Sequence, residues 1–283
     1  MTTVTAKTLA RPASLTGAGL HSGQFVTLRL LPALPHSGVV FRRVDLAGSP
    51  AVSAREFDHH AAPFRTVIKN GPAEVHTVEH VLSALAGLGI TDCAIEIDGL
   101  EVPGMDGSAG VFADAILDAG IAEDGGHSVQ VLVVASNIEV ADGGARIQAF
   151  PHAGGLKVTY TLHYPGHALA QGTFEIDLTP ENFMKEIAPA RTFAVKKDAE
   201  AMRAAGLGKG ANLQNTVVID GDKAIETALR FENEPVRHKI LDLIGDLYVL
   251  ERPVHAHIVA SCSGHRTNRL LAQRLNEAYP IRL

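Results

Sequence analysis

The sequence predicts an α+β protein built from two domains of related topology. Three observations predict it. At 283 residues the chain is long for one core. Each half passes through alternating, strand-like runs before it reaches its helical ones. And the polar, glycine-rich stretch Ala122-Glu123-Asp124-Gly125-Gly126-His127-Ser128 separates an apolar helical pattern from a strand pattern. A domain boundary is placed there, with residues 1–124 as the N-terminal domain and residues 125–283 as the C-terminal one. Residue-level similarity between the halves is weak and gives only a hint of pseudo-symmetry.

In the N-terminal half, Val26, Leu28 and Leu30 alternate with Thr27, Arg29 and Leu31, and Val39-Val40-Phe41 follows; both are strand patterns. A helix is expected over 75–86, stopped by Gly87 and Gly89. A strand over 94–97 and a helix over 110–119 complete this half. In the C-terminal half, strands are expected over 131–134, 138–140, 146–150 and 156–162, helices over 189–204 and 234–250, a strand over 254–260 and a last helix over 266–278.

Composition narrows the function. The chain is 46% hydrophobic and carries 25 Lys+Arg against 31 Asp+Glu, so no basic excess points to nucleic acid as a partner. No apolar run is long enough to span a bilayer, and MTTVTAKTLARPASLTG lacks the apolar core of a secretory signal. Two cysteines, Cys93 and Cys262, make no disulfide framework, which fits the reducing cytoplasm. Fourteen histidines exceed what packing needs; His59, His60 and His127 fall outside any site reading.

Two apolar segments carry metal-ligand residues at helical spacing. Read as helices, His76-Thr77-Val78-Glu79-His80 places His76 above His80, and His238-Lys239-Ile240-Leu241-Asp242 places His238 above Asp242. On the second segment His238, Asp242, Gly245 and Asp246 form a narrow stripe among Ile240, Leu241, Leu243, Ile244, Leu247 and Val249. Two carboxylates and a histidine on so apolar a helix are costly to bury unless something compensates them, and a metal does. Imidazoles with one carboxylate are the ligand set of an open catalytic zinc site, which points to metal-assisted hydrolysis. A strand also runs into Ser261-Cys262-Ser263-Gly264-His265, a turn that displays a histidine. Met105-Asp106-Gly107-Ser108-Ala109 has the pattern of a turn and helix cap, and Ala190-Arg191-Thr192-Phe193 that of an ordinary helix segment. Gly206-Leu207-Gly208-Lys209-Gly210 lacks the ending of a phosphate loop.

From the residues alone, alternatives stay open. Either ligand stripe could be a solvated helix face. His76-x-x-Glu79-His80 matches the H-x-x-E-H of inverzincin metalloproteases, with both histidines as ligands and Glu79 as base. That reading leaves the His238/Asp242 stripe and His265 idle. A non-catalytic, metal-stabilised carbohydrate-binding protein is a further alternative.

Further segments carry a resemblance. They are Leu15-Thr16-Gly17-Ala18-Gly19-Leu20-His21-Ser22-Gly23, Thr77-Val78-Glu79-His80, Ala86-Gly87-Leu88-Gly89-Ile90 and Met105 to Ala109. Ala190-Arg191-Thr192-Phe193, the run from Val236 to Leu247 and Ser263-Gly264-His265 continue them in order across nearly the whole chain. With these the chain resembles the UDP-3-O-acyl-N-acetylglucosamine deacetylases, zinc enzymes of the committed step of lipid A synthesis. The resemblance implies His80, His238 and Asp242 as metal ligands with a water in the fourth position. It implies Glu79 as general base, and His265, oriented by Asp246, as general acid or oxyanion-stabilising cation. Thr192 would donate to the oxyanion; Lys239 and Phe193 would hold the nucleotide sugar, with His21 and Asp198 in the same region. It implies two α+β domains whose helices pack between two outer sheets, each with a small insert, the second forming part of a passage for the acyl chain. The metal would be zinc, with ferrous iron accepted by the same ligands; the partner is a small acylated UDP-sugar and the expected state a monomer. Lys196, Lys197, Lys209 and Asn212-Leu213-Gln214-Asn215 depart from the family pattern, and they predict a more polar passage.

Overall fold

The computed structural model describes residues 2–58 and 64–281; His59 and His60 lie outside the described residues. Its strands in chain order are β1 (Thr3–Leu9), β2 (Ala13–Ala18), β3 (Phe25–Leu31), β4 (Val39–Arg43), β5 (Ala51–Ser53), β6 (Val67–Asn70), β7 (Ala73–His76), β8 (Cys93–Ile97) and β9 (Ile121–Gln130). The second half adds β10 (Leu132–Val133), β11 (Ile138–Asp142), β12 (Ala145–Phe150), β13 (Leu156–His163), β14 (Gln171–Asp177), β15 (Phe193–Val195), β16 (Val217–Asp220), β17 (Lys223–Ala224) and β18 (Val254–Ser261). The helices are α1 (Glu79–Gly87), α2 (Gly110–Ala119), the single turn α3 (Pro180–Asn182), α4 (Lys196–Ala204), α5 (Glu234–Leu247) and α6 (His265–Ala278).

Each half builds one main sheet, and the two sheets share a plan. The first runs β2-β3-β8-β4-β5 and the second β11-β12-β18-β13-β14. In both, the last strand in sequence enters the middle, antiparallel to one neighbour and parallel to the other (β3 and β4 around β8, β12 and β13 around β18). A helix precedes that central strand in each half, α1 before β8 and α5 before β18, and another follows it, α2 and α6. The pseudo-symmetry is therefore one of topology. Small additional sheets, β6-β7 in the first half and β15-β16-β17 in the second, stand apart from the main ones.

The helices fill the space between the sheets. Val81, Leu82 and Leu85 of α1 and Leu241, Leu243 and Ile244 of α5 join Leu28, Leu30 and Ile95 of one sheet and Ile147, Val158 and Ile258 of the other in a single buried cluster. In β3 the predicted alternation holds, with Val26, Leu28 and Leu30 buried. Close packing of α1 on α5 depends on Gly245: a Cβ there would lie 2.0 Å from the Glu79 carbonyl oxygen. Among the described residues, no helix is long and apolar enough to cross a membrane.

The segment over 122–128 lies inside β9, antiparallel to β1, and two expected helices are corrected. Pairing jumps from Thr5↔Ser128 to Ala6↔Asp124, so Gly125, Gly126 and His127 form the bulged side of the ladder. The glycines mark a bulge in a strand, a known role of strand glycines. The helix over 75–86 starts only at Glu79. Ala73 and Val75 are buried while Glu74 and His76 are half-exposed, which is the two-residue period of β7. Thr77 then takes a left-handed φ of 57° and turns the chain into α1. Last, residues 189–204 are not one helix: β15 pairs with β16, and α4 begins at Lys196. Thr192 belongs to an extended segment, its N–H donating to the Gly107 carbonyl at 2.8 Å and its carbonyl accepting from Val217 N–H at 2.8 Å. The helix over 110–119 does form, but no side chain caps it; Ser108 Oγ accepts the Gly110 N–H at 3.1 Å.

Candidate metal centre and active site

Helix α5 presents His238, Asp242 and Asp246 one turn apart on its buried face. Against that face comes the first turn of α1, with Glu79 and His80. The Nε2 atoms of His238 and His80 lie 3.3 Å and 3.8 Å from Asp242 Oδ1. The two imidazoles stand at right angles, 5.1 Å apart. Donor atoms of His80, His238 and Asp242 all lie within 4.8 Å of one another.

The protonation states suit metal binding. Burial, with His238 alongside, pushes His80 down to about 3, and burial lowers His238 as well. Both imidazoles are thus neutral near pH 7, with lone pairs available. His238 Nδ1 lies 3.0 Å from the Ala190 carbonyl, which can only accept, so Nδ1 carries the hydrogen and Nε2 offers its lone pair inward. For Asp242, burial opposes ionisation, but the Lys239 ammonium and neighbouring imidazoles outweigh it and hold the carboxyl well below its usual range. Lys239 Nζ donates to Asp242 Oδ2 at 2.6 Å, leaving Oδ1 toward the imidazoles. Two neutral imidazoles and one carboxylate, on three protein positions, are a donor set that fits a divalent metal with a coordination position left open.

The Ala190–Thr192 segment is tied to α5 twice. Beside the Ala190–His238 contact, Arg191 makes a buried ion pair with Glu234, in the first turn of α5, donating from Nε at 2.8 Å and Nη2 at 3.1 Å. Thr192 follows directly and opens onto the cavity.

Next to His80, His238 and Asp242 is a carboxyl–imidazole pair. His265 Nε2 lies 3.8 Å from Glu79 Oε1, and His265 Nδ1 donates to Asp246 Oδ2 at 2.9 Å. Burial pushes Glu79 up to about 7, with Asp246 and Asp242 adding to it and His265 opposing. Burial alone would lower His265, but the carboxylates of Asp246, Glu79 and Asp242 raise it to about 9. Environment thus pushes the two groups toward opposite roles. The turn that delivers His265 is pinned by the Tyr160 hydroxyl, which donates to the Ser263 carbonyl, and Cys262 within it has a left-handed φ of 50°.

One cavity of about 910 Å³ joins these groups. Its walls include His80, His238, Asp242, Glu79, His265, Thr192, Phe193, Lys239, His21 and Asp198. Asp246 is completely buried behind His265. Phe193 packs edge-on to Tyr164, with ring centroids 6.1 Å apart. His21 is buried, and burial lowers its pKa; Asp198 is exposed at the rim. Much of the remaining lining is apolar, with Val195, Ala199, Met202, Leu213 and Val218, beside Asn212 and Gln214. This corrects part of the expected polarity: Lys196, Lys197 and Lys209 are exposed and outside the lining, and Lys196 pairs outward with Asp220 at 2.8 Å.

His76 is not above His80. It ends β7, and its Nε2 lies 2.7 Å from Glu74 Oε1 on the same strand. Sequence reasoning missed Thr66 and Asn268, both completely buried, which donate to Asp246 through Oγ1 and Nδ2. Asn268 had a usable signal, three residues after His265 on one helix. Thr66 had none, because its partners are 13 and 180 residues away.

A family model described as "LpxC: UDP-3-O-acyl N-acetylglycosamine deacetylase" matches residues 6–277. Among similar curated proteins are those named UDP-3-O-acyl-N-acetylglucosamine deacetylase from three bacteria. The one from Anaeromyxobacter sp. (strain Fw109-5) is 41% identical over 270 residues, 95% of this chain and 88% of the relative. That from Myxococcus xanthus (strain DK1622) is 40% identical over 274 residues, 95% and 85%. That from Chromobacterium violaceum (strain ATCC 12472) is 38% identical over 275 residues, 96% and 90%. With a main sheet in each half, helices between them and the family match running through both, the chain belongs to the UDP-3-O-acyl N-acetylglycosamine deacetylase family.

Proposed function

We propose that this protein hydrolyses the N-acetyl group of UDP-3-O-(3-hydroxyacyl)-N-acetylglucosamine, releasing acetate and a free amine, with zinc held by His80, His238 and Asp242. The observation that carries the reading is the Glu79–His265 pair. Two buried groups, 3.8 Å apart and pushed toward opposite protonation roles, adjoin a three-residue ligand set that fits a divalent metal.

Zinc bound there would act as a Lewis acid on the amide carbonyl and the attacking water. Glu79 takes a proton from that water at Oε1 as its oxygen adds to the acetyl carbon. The Thr192 hydroxyl donates to the oxyanion that develops, and the charge on His265 stabilises it. When the C–N bond breaks, His265 Nε2 gives its proton to the leaving nitrogen. The Nδ1 contact with Asp246 fixes the ring so that Nε2 faces the cavity. Lys239 supplies positive charge suited to a diphosphate, and Phe193, His21 and Asp198 line the same region. The apolar lining around Val195, Met202 and Leu213 suits an acyl chain. Two cysteines without a disulfide fit a reducing, cytoplasmic setting.

The test is acetate release from the acylated UDP-sugar before and after metal chelation. Release that chelation abolishes and zinc restores is expected; reloading with ferrous iron compares the two metals. No release by folded, metal-loaded protein would sink the deacetylase reading.

A further inference from the structure

Thr66 uses every polar group it has, and it uses them on both halves of the acid–base pair. It is completely buried, one residue before β6. Its N–H donates to Glu79 Oε2 at 3.0 Å. Its carbonyl accepts from the N–H groups of Thr77 at 2.9 Å and Val78 at 3.4 Å, at the left-handed turn that starts α1. Its hydroxyl donates to Asp246 Oδ1 and accepts from Arg269 Nη1 at 3.3 Å. A guanidinium only donates, and a hydroxyl has one hydrogen, so the Thr66 hydrogen is directed at Asp246.

We infer that Thr66 is a positioning residue that holds the base and the acid in register. The inference rests on the deacetylase reading of the site. Glu79 has two oxygens, and Thr66 occupies one of them; Oε1 is thereby left toward His265 and the cavity. Asp246 is held at Oδ1 by Thr66 and at Oδ2 by His265 Nδ1 and Asn268 Nδ2. With both oxygens engaged, the carboxylate cannot rotate without breaking a buried hydrogen bond, and the His265 ring keeps its orientation. Asn268 reaches the acid side alone. Thr66 touches the base through its backbone and the acid's anchor through its side chain. Its hydrogen bonds, among the described residues, do not reach His80, His238 or Asp242.

This division sets the test. Thr66→Val keeps the shape and the backbone N–H and removes only the hydroxyl. Zinc-loaded Thr66→Val should lose about 10–100-fold in kcat, the usual cost of removing a group that orients a site residue, with KM within about twofold. Its zinc content after gel filtration should equal that of the unsubstituted protein. Thr66→Ser, which restores the hydroxyl, should recover most of kcat. Should the valine chain fail to fold by circular dichroism, Thr66→Ala carries the same expectation, since it only leaves space behind. A kcat within about threefold of the parent in the folded variant overturns the inference. So does a serine variant no better than valine, or parallel loss of zinc and activity, which is the mark of general structural damage. Acetate release by the parent chain in the same assay separates this failure from failure of the deacetylase reading itself.

Discussion

The two halves of the molecule share a strand order but deliver their chemical groups in different ways. The second half places His238, Asp242 and Asp246 along one continuous helix, where local hydrogen bonds and a four-residue spacing fix them. The first half places Glu79 and His80 at a strand-to-helix junction, where Thr77 holds a left-handed φ of 57° and no side chain caps α1. A β-branched residue at positive φ is strained and persists only when its surroundings over-determine it. Here they do: Thr77 N–H is bonded to the Thr66 carbonyl, and Thr77 Oγ1 donates to the buried Glu101 at 3.0 Å. The placement of His238, Asp242 and Asp246 on α5 follows from local geometry, whereas that of Glu79 depends on tertiary contacts.

The sharpest way to separate these contributions is to remove the base without disturbing its junction. Glu79→Gln keeps the shape and the acceptor for Thr66 N–H but cannot take a proton near neutrality. A loss of about 10²–10⁴-fold in kcat is expected, with fold and zinc content unchanged. Equal activity in the two proteins would mean that Glu79 is not the base.

The next effect tests the seam between the halves, and propensity and packing disagree about its sign. Glycine inside a helix normally costs roughly 0.5–1 kcal/mol relative to alanine, so Gly245→Ala should stabilise α5 by propensity alone. But the added Cβ would meet the Glu79 carbonyl oxygen at 2.0 Å. Overpacking of that kind typically costs about 1–3 kcal/mol, and here it also pushes α1 away from Asp242. A lower melting temperature together with weaker zinc retention is expected; a raised melting temperature would show that the seam can yield.

The same contrast explains what was legible in the sequence. His238, Asp242 and Asp246 could be placed on one face because a long, strongly periodic helix carries its geometry in its spacing. Glu79 and His80 could be named but not placed. Val75, Val78, Leu82 and Leu85 satisfy a helical period, and nothing local reveals that Val75 belongs to a strand until β6 pairs with it. The strand through 122–128 is hidden likewise, because a glycine pair marks a bulge only once its partner strand is known. The sequence pattern around Thr192 reads as helical because the Gly107 and Val217 groups that hold its backbone extended belong to distant segments. The outward direction of Lys196 depends on Asp220, a residue on β16. In each case the missing information is a nonlocal hydrogen bond or ion pair.

A smaller effect, read as a curve, joins one group from each half. As the proposed base, Glu79 would work only when deprotonated, so activity should rise with pH through its pKa, pushed up to about 7. As the proposed acid, His265 would work only when protonated, so activity should fall as pH passes its pKa, raised to about 9. A bell-shaped kcat/KM profile is expected. Positive charge held at the adjacent His80 favours the Glu79 carboxylate, so zinc loading moves the acid limb downward and not upward. An alkaline limb that survives in His265→Gln would reassign that limb to another group.

The smallest expected effect is at His76, and it bears directly on how the first half is built. Were residues 75–86 one helix, His76 would stand over His80 and could serve as a ligand in an H-x-x-E-H site. On β7 it instead turns toward Glu74, half-exposed, while its backbone N–H and carbonyl engage Leu100 and Val102 at 2.8 and 3.0 Å. Alanine keeps both backbone bonds and loses only a partly exposed pair, worth on the order of 0–1 kcal/mol. His76→Ala should therefore keep kcat, KM and zinc content within about twofold of the parent. Loss of zinc in that variant would require His76 to leave β7 and reach the metal-ligand residues. The left-handed turn at Thr77 would then have to unwind into helix, undoing the contrast between the two halves on which the base's placement depends.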